Sequence, residues 1–173
     1  MQTNFITKKA KSGYTLVETI IYVGILSIVY FLIVSTLISF NSSYRNVVAL
    51  RIVDNSAIDA MERMTRDIRL ASIIDTGNST LGTSPGVLTL IATSGGVSTT
   101  TKFYVQSGVL KVDVNGSYYG PLTLASATVT SLTFRRLSTT TSEAVKIDMI
   151  ISGVTGPVTK TKSYHSTIIL RGV

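Results

Sequence analysis

An uncharged apolar run is the first feature of the chain, and it extends over 22 residues from Thr19 to Phe40. At about 1.5 Å per residue, a helix of this length is about 33 Å long and would cross a bilayer core of about 30 Å. The apolar core of a cleavable secretory signal is only about 7–15 residues long and is followed by small residues. This run instead ends in "FNSSY", residues 40–44. The pattern therefore predicts a retained membrane helix.

Helical periodicity continues beyond the apolar run. Apolar residues recur at spacings of four and three and form one stripe: Ala57, Met61, Met64, Ile68 and Ala71. The opposite face carries two acid-before-base pairs, Asp59 with Arg63 and Glu62 with Arg66. "DTGN", residues 75–78, indicates the end of the helix, with Gly77 able to adopt the left-handed cap conformation. We predict one helix from Tyr14 to about Ile74, membrane-embedded over about 19–40 and amphipathic over 41–75.

The period changes to two in residues 76–173. Apolar and polar residues alternate over 110–114 and 145–151, as expected of half-buried strands. Shorter stretches with the same character are 87–92, 102–106, 129–137 and 162–170. Ser107-Gly108 and Asn115-Gly116 are typical of hairpin turns, and 93–101 and 138–143 are predicted to be flexible loops. The predicted fold class is α+β, with a long N-terminal membrane-spanning helix packed on an antiparallel β-sheet head.

Charge predicts the orientation of the membrane helix. Lys8, Lys9 and Lys11 precede the apolar run, and the first basic residue after it is Arg45. Positively charged flanks remain in the cytoplasm, so the N-terminus is predicted to be cytoplasmic and the head extracytoplasmic. The net charge is +7, of which residues 76–173 contribute +5 from eight basic and three acidic residues. The chain has no cysteine, which excludes a disulfide framework and a thiolate metal site.

Catalytic and metal-binding chemistry is poorly supported by the sequence. His165 is the only histidine and lies in a predicted strand, and "SGG" at 94–96 lacks the context of a nucleophile elbow. Asp113 beside Asn115 does not belong to a loop that gathers the six or more oxygens of a calcium site. We therefore expect no enzyme activity, no cofactor and no metal.

Nucleic-acid binding is a weaker alternative than a solvated basic surface. Arg135 and Arg136 are adjacent in a predicted strand and so point to opposite faces, whereas Lys160 and Lys162 share one face. A basic head could contact DNA, but no aromatic residues interleave with the basic ones as in a stacking groove.

The residues before the apolar run carry a specific resemblance. A short basic leader, then "SGYTLVE" at 12–18, then an apolar helix resembles the class III signal of type IV pilins and pseudopilins. The resemblance implies that a prepilin peptidase removes residues 1–13 by cutting between Gly13 and Tyr14. It also implies that Tyr14 is N-methylated and that Glu18 guides assembly. The residue after the cut is usually Phe, so Tyr14 is a departure from the family pattern.

Electrostatics agrees with that resemblance. A carboxylate at the centre of a membrane helix costs about 2.5–3.5 kcal/mol on insertion scales, and less near the interface. Cleavage after Gly13 would create a cationic amine on Tyr14, one helical turn from Glu18. The carboxylate could then pair with this amine or with that of a neighbouring subunit. The simpler alternative is an uncut anchor whose Glu18 reaches the cytoplasmic headgroups.

Weaker resemblances extend into the rest of the chain. "AIDAMERMTRDIRLAS" at 57–72, "VTSLTFRRL" at 129–137 and "YHSTIILRG" at 164–172 resemble segments of the J-type minor pseudopilin of type II secretion and of PilW-like minor pilins. Major pilins usually have a proline within the membrane helix, where this chain has Ser35, and many have a cysteine pair that it lacks. Both departures favour a minor subunit.

The predicted function is therefore that of a non-enzymatic minor pilin or pseudopilin. Its implied partners are the prepilin peptidase, sibling subunits packed along the N-terminal helix, an inner-membrane assembly platform, and membrane lipid before assembly. The implied location is the cytoplasmic membrane as a single-pass protein, and afterwards an extracellular or periplasmic filament. Two alternatives stay open: a pilin-like adhesin or DNA-uptake subunit, and an uncleaved signal-anchored protein with a β domain.

Overall fold

The computed structural model describes residues 13–171, so the lysines of the predicted leader lie outside the described residues. One compact unit of the chain ends at Ser42 and a second begins at Ser43. The described residues form helix α1 and eight strands, in the order α1 (Leu16–Leu70), β1 (Ile73–Ile74), β2 (Leu88–Ser94), β3 (Val97–Gln106), β4 (Val109–Val114), β5 (Ser117–Pro121), β6 (Ala127–Ser138), β7 (Glu143–Thr155) and β8 (Val158–Ile169).

Residues 16–42 are the helical part of the first unit. The large apolar side chains of this segment are exposed, as shown by Leu26 at 71% and Phe31 at 71%. Among the described residues, α1 is the one helix whose length and composition would allow it to cross a membrane.

Within the second unit, the C-terminal part of α1 packs on the β-sheets through one face. Apart from the adjacent pair Ser56 and Ala57, the buried residues of this face recur at spacings of three and four: Ala49, Val53, Ser56, Ala57, Ala60, Met64 and Ile68. Three of them are alanines, and small side chains let the helix axis approach the strands closely. The predicted apolar stripe is confirmed at Ala57, Met64 and Ile68, while Met61 is half-buried.

The strands form two antiparallel sheets. Sheet 1 has the order β1-β2-β3-β4-β5, and sheet 2 has the order β6-β7-β8. Strand β7 shows a buried residue at every second position from Val145 to Ile151, so one face of sheet 2 enters the core. Sheet 1 adds Leu90, Phe103 and Leu110 to the same core. The predicted α+β class, with a long apolar helix and an antiparallel β head, is confirmed.

Both predicted hairpin turns are present. Ser107 and Gly108 have φ angles of 53° and 75°, and Asn115 and Gly116 have φ angles of 52° and 78°. Two successive left-handed residues are typical of the two-residue turns that match the twist of antiparallel strands. These turns connect β3 to β4 and β4 to β5.

The predicted end of the helix is wrong by about four residues. Helix α1 ends at Leu70, and Ile73–Ile74 pairs with Leu90 and Ile91 as strand β1. Gly77 does not adopt a left-handed cap; the Asp75 carboxylate instead accepts hydrogen bonds from the backbone N–H groups of Gly77 and Asn78. Both isoleucines are β-branched, and such residues are favoured in strands. A helix that continued to Ile74 would prevent this pairing.

The predicted loop at 93–101 is also wrong. Strand β2 continues to Ser94 and β3 starts at Val97, with Gly95 and Gly96 at φ angles of 57° and 81°. The threonines after the turn pair with residues of β2, and β-branched side chains are favoured in strands. Gly-Gly is itself a two-residue hairpin signal. The loop predicted at 138–143 is confirmed in shorter form, because Ser138 and Glu143 already pair.

The ion pairs on the outer face of α1 differ from the prediction. Arg63 Nε lies 2.7 Å from Asp67 Oδ2, and Arg66 Nε lies 3.6 Å from Asp67 Oδ1. The Arg63 guanidinium also lies over the ring of Tyr119, 5.2 Å from its centroid. Arg63 therefore pairs with Asp67 and not with Asp59, the partner that the sequence predicted.

Candidate functional site

The start of α1 is fixed by a cap at Thr15. Residues 13–15 have no regular secondary structure. The Thr15 hydroxyl accepts a hydrogen bond from the backbone N–H of Glu18 at 3.3 Å, and the Thr15 carbonyl accepts one from Thr19 at 3.1 Å. A threonine in this role satisfies one of the free N–H groups of the first helical turn. The sequence "TLVE" at 15–18 thus sets where the helix begins and where Glu18 lies on it.

The Glu18 carboxylate is held within its own helix. It lies in the first turn of α1, where the helix dipole favours a negative charge. Its Oε1 atom accepts a hydrogen bond from the Tyr22 hydroxyl at 3.0 Å. The next acidic residue along the chain is Asp54, so no other carboxylate belongs to the apolar segment.

Tyr14 contacts the same tyrosine. The rings of Tyr14 and Tyr22 meet edge to face, with centroids 6.2 Å apart and planes at 80°. Such a geometry is the preferred one for an aromatic pair. Tyr14, Glu18 and Tyr22 are spaced by four residues, and we call these three side chains the N-terminal row. Two of its members are the residues that the sequence assigned to processing and assembly.

Gly13 lies immediately before this row in open space. A Cβ atom built on it would meet no atom within 4 Å, and its φ angle is outside the left-handed region. Neither the backbone conformation nor packing among the described residues therefore requires a glycine at this position.

The hydroxyl groups of the apolar segment bond to their own helix. The Ser27 hydroxyl donates to the Val23 carbonyl at 2.7 Å, and the Thr36 hydroxyl donates to the Leu32 carbonyl at 2.7 Å. Polar groups that enter a bilayer must be satisfied internally, because lipid tails offer no hydrogen bonds. These bonds make the segment compatible with an apolar environment.

The head contains a cluster that joins its part of α1 to the last strand. The Asp54 carboxylate accepts hydrogen bonds from Lys162 Nζ at 2.8 and 3.0 Å, and one from the Tyr164 hydroxyl. The bond from Lys162, reinforced by that from Tyr164, holds the pKa of Asp54 below its usual value. Burial and the bond to Asp54 raise the pKa of Tyr164. Lys162 is thus a structural partner of the helix.

A second cluster lies on the outer face of sheet 2. His165 Nδ1 is 2.7 Å from Asp148 Oδ1, and Lys146 Nζ is 3.8 Å from the same oxygen. The contact with His165 is the main cause of a lowered pKa at Asp148. An aspartate can orient an imidazole for catalysis, but no hydroxyl among residues 13–171 hydrogen-bonds to this ring. His165 is also 62% exposed, so the pair lies in solvent.

A polar cavity of about 390 Å³ lies beside sheet 1. Its lining residues include Asp75, Asp113 and Lys102. Asp113 Oδ1 accepts a hydrogen bond from Tyr104 at 3.1 Å, and the bond from Asn78 lowers the pKa of Asp75. Across the described part of the chain, no group of three or more His, Asp or Glu side chains is placed to hold a metal ion.

Comparisons with protein-family models, curated proteins and solved structures give no match for this chain.

The sequence identified two members of the N-terminal row, Tyr14 and Glu18, together with Gly13. It assigned no role to the third member, Tyr22, or to the cap residue Thr15. A threonine followed three residues later by a glutamate, just before an apolar run, is the signature of a capping box and could have identified Thr15. Tyr22 could have been found from its four-residue spacing to Glu18.

The basic residues considered for nucleic-acid binding are dispersed. Arg136 forms an ion pair with Glu143, and Arg135 Nε lies 4.0 Å from Asp148 Oδ2. Lys162 bonds to Asp54, as described above. Each of these three cations therefore lies near an acidic side chain, which weakens their combined attraction for a polyanion.

Proposed function

We propose that this chain is a structural minor subunit of a type IV pilus or type II secretion-like filament. A prepilin peptidase would cut its precursor between Gly13 and Tyr14, and Tyr14 would become an N-methylated first residue. The N-terminal helix would then leave the membrane to pack among the helices of sibling subunits at an inner-membrane assembly platform. Glu18 would guide that docking step.

One observation carries this proposal. The exposed apolar segment of α1 has a single carboxylate, Glu18, and that carboxylate lies four residues from the proposed new N-terminus. An anchor that only spans a membrane does not need an acid in this position, because a charge adds to the cost of insertion, although less near the interface than at the bilayer centre. A subunit that must pair with the ammonium group of a neighbour does require one.

The exposed side chains of the apolar segment support the same proposal. Before assembly they would be covered by lipid, and afterwards by sibling helices. Leu26, Phe31 and Phe40 are each more than two-thirds exposed, so either environment would remove a large apolar area from water. The basic leader would keep the N-terminus in the cytoplasm, so the head would lie outside the membrane before assembly and on the filament afterwards.

Substitution of Glu18 tests the proposal. Glu18→Gln keeps the size and hydrogen bonding of the side chain but removes its charge, and Glu18→Ala removes both. Breaking one side of a buried ion pair costs about 3–5 kcal/mol, because the remaining charge stays unpaired. Both variants should accumulate as cut, membrane-resident subunits that are missing from sheared filaments.

Glu62→Gln is the matched control, since it makes the same chemical change on an exposed part of α1. It should enter filaments at the wild-type level. Entry of Glu18→Gln at the wild-type level would contradict the proposed role of the charge.

A ligand-binding pilin-like subunit is the second candidate, and the cavity beside sheet 1 favours it. The lining residues include two aspartates, Asp75 and Asp113, against one lysine, Lys102. This balance disfavours a polyanion such as DNA and suits a neutral or cationic polar ligand. This candidate would be supported if the wild-type head retained such a ligand and the Asp113→Asn variant did not, while both entered filaments equally.

A further inference from the structure

The Glu18 carboxylate uses its two oxygens differently. Oε1 accepts the hydrogen bond from the Tyr22 hydroxyl at 3.0 Å. No residue in the range 13–171 bonds to Oε2. A carboxylate has about four acceptor positions on its two oxygens, so one strong bond leaves room for a second cationic partner.

We propose that Tyr22 is a positioning residue for Glu18 in subunit docking. Its hydroxyl holds Oε1 along the helix and leaves Oε2 directed to the ammonium group of an incoming subunit. This inference rests on the proposed function, because it assigns a second residue to the same docking step. Nothing in the resemblance to pilins assigns a role to this tyrosine.

The physical reason is that a free glutamate side chain would sample other positions. Glutamate has several rotatable bonds, and near a membrane surface a charged side chain extends toward the headgroups. A hydrogen bond from a neighbouring hydroxyl is stronger in a low-dielectric bundle than in water, and it competes with that extension. Tyr22 therefore orders the Glu18 side chain before docking, so that docking itself costs less conformational entropy.

The edge-to-face contact with Tyr14 supports this role. A ring at 6.2 Å restricts the rotation of the Tyr22 side chain and keeps its hydroxyl on the Glu18 side of the helix. The three members of the N-terminal row thereby constrain one another. The row also brings Tyr14, the proposed new N-terminal residue, next to the tyrosine that holds the carboxylate.

Tyr30 provides a matched control in the same helix. It is 69% exposed and lies twelve residues beyond Glu18. Twelve residues correspond to about 18 Å along a helix, which is too far for a hydrogen bond. Tyr30→Phe therefore removes an equivalent hydroxyl without touching Glu18.

The first experiment tests the hydrogen bond itself. The chain has only three glutamates, Glu18, Glu62 and Glu143, so carboxyl-¹³C labelling of glutamate gives a simple NMR spectrum in lipid bilayers. The Glu18 signal is assigned by its loss in Glu18→Gln. We expect Tyr22→Phe to shift this signal and Tyr30→Phe to leave it unchanged. An unshifted Glu18 signal in Tyr22→Phe would overturn the inference.

The second experiment tests the role in docking. Tyr22→Phe should be cut and inserted normally but enter filaments about tenfold less than wild type, as expected for loss of a hydrogen bond to a charged group. In a Glu18→Gln background, Tyr22→Phe should cause little further loss, because the two residues act through one interaction. Tyr30→Phe should enter normally.

The outcomes separate this inference from the proposed function. If Glu18→Gln is defective and Tyr22→Phe enters at or above the wild-type level, the proposed function stands and the positioning role is wrong. If Glu18→Gln enters normally, the proposed function fails, and the docking role of Tyr22 fails with it. An additive loss in the double variant would also contradict positioning, because it would show that Tyr22 acts independently of Glu18.

Discussion

Gly153 in β7 lies directly against the backbone of Ala49 in the head part of α1. A Cβ atom built on Gly153 would be 2.8 Å from the Ala49 carbonyl oxygen and 2.7 Å from Cγ2 of Val53. Atoms that are not bonded to each other do not approach so closely without a shift of the backbone. The helix thus contacts sheet 2 at a position where only a hydrogen atom fits.

Gly153→Ala should therefore destabilise the head. The added methyl group overlaps a backbone oxygen, which cannot rotate away, and overpacking of this kind costs about 1–3 kcal/mol. Thermal unfolding of the detergent-solubilised protein, followed by circular dichroism, measures the change. Gly120→Ala is the control, because a Cβ at Gly120 in β5 meets nothing within 4 Å. Equal unfolding temperatures for the two variants would contradict the close approach.

Asp54→Asn should weaken the head at neutral pH. The pKa of Asp54 is lowered in the folded state, so its contribution to stability is present above the unfolded value of about 3.9 and is lost as the pH falls through the folded value. The side chain is 39% exposed and screened by water, so we expect a loss of about 1 kcal/mol or less. Urea unfolding at pH 7 and at successively lower pH measures it.

The difference between wild type and Asp54→Asn should shrink as the pH falls below about 4. Asp59→Asn is the matched control, because Asp59 is exposed on the same helix and has no ion-pair partner among the described residues. A difference for Asp54→Asn that stays constant down to pH 2 would show that its charge is not the stabilising feature.

Sequence periodicity was sufficient to predict the main architecture. The stripe from Ala57 to Ile68 has a helical period, and the alternation from Val145 to Ile151 has the period of a half-buried strand. Both patterns reflect which side chains are buried in the core, and both are confirmed. The turns at Ser107-Gly108 and Asn115-Gly116 were also predictable, because these pairs adopt left-handed conformations readily.

The misses arise where tertiary pairing overrides local composition. Residues 93–101 are polar and rich in threonine, and this composition suggested a loop. In the structure the first two of them end β2, and residues 97–101 pair with β2 as the first part of β3. Ile73–Ile74 continue the helical pattern of the sequence, but in the structure they pair with β2 as strand β1. The contacts of Asp54 with Lys162 and Tyr164 join residues more than 100 positions apart, and no local pattern encodes them.

Stoichiometry tests the assignment to a minor subunit. The helix has Ser35 where major pilins usually have a proline, and the chain has no cysteine pair. We expect quantitative proteomics of purified filaments to find this chain at far lower abundance than the main pilin. Abundance near that of the main pilin would identify it as a principal component instead.

Mass spectrometry of the mature N-terminus tests the central claim most directly. We propose that Gly13 acts in processing, and no packing or conformational requirement for a glycine at this position exists among the described residues. Protein recovered from filaments should begin at Tyr14 with a methylated amine, and Gly13→Val, which blocks the site with a branched side chain, should leave an uncut precursor in the membrane. Filament subunits that still begin at Met1 would contradict the account and leave the uncleaved, signal-anchored protein as the better description.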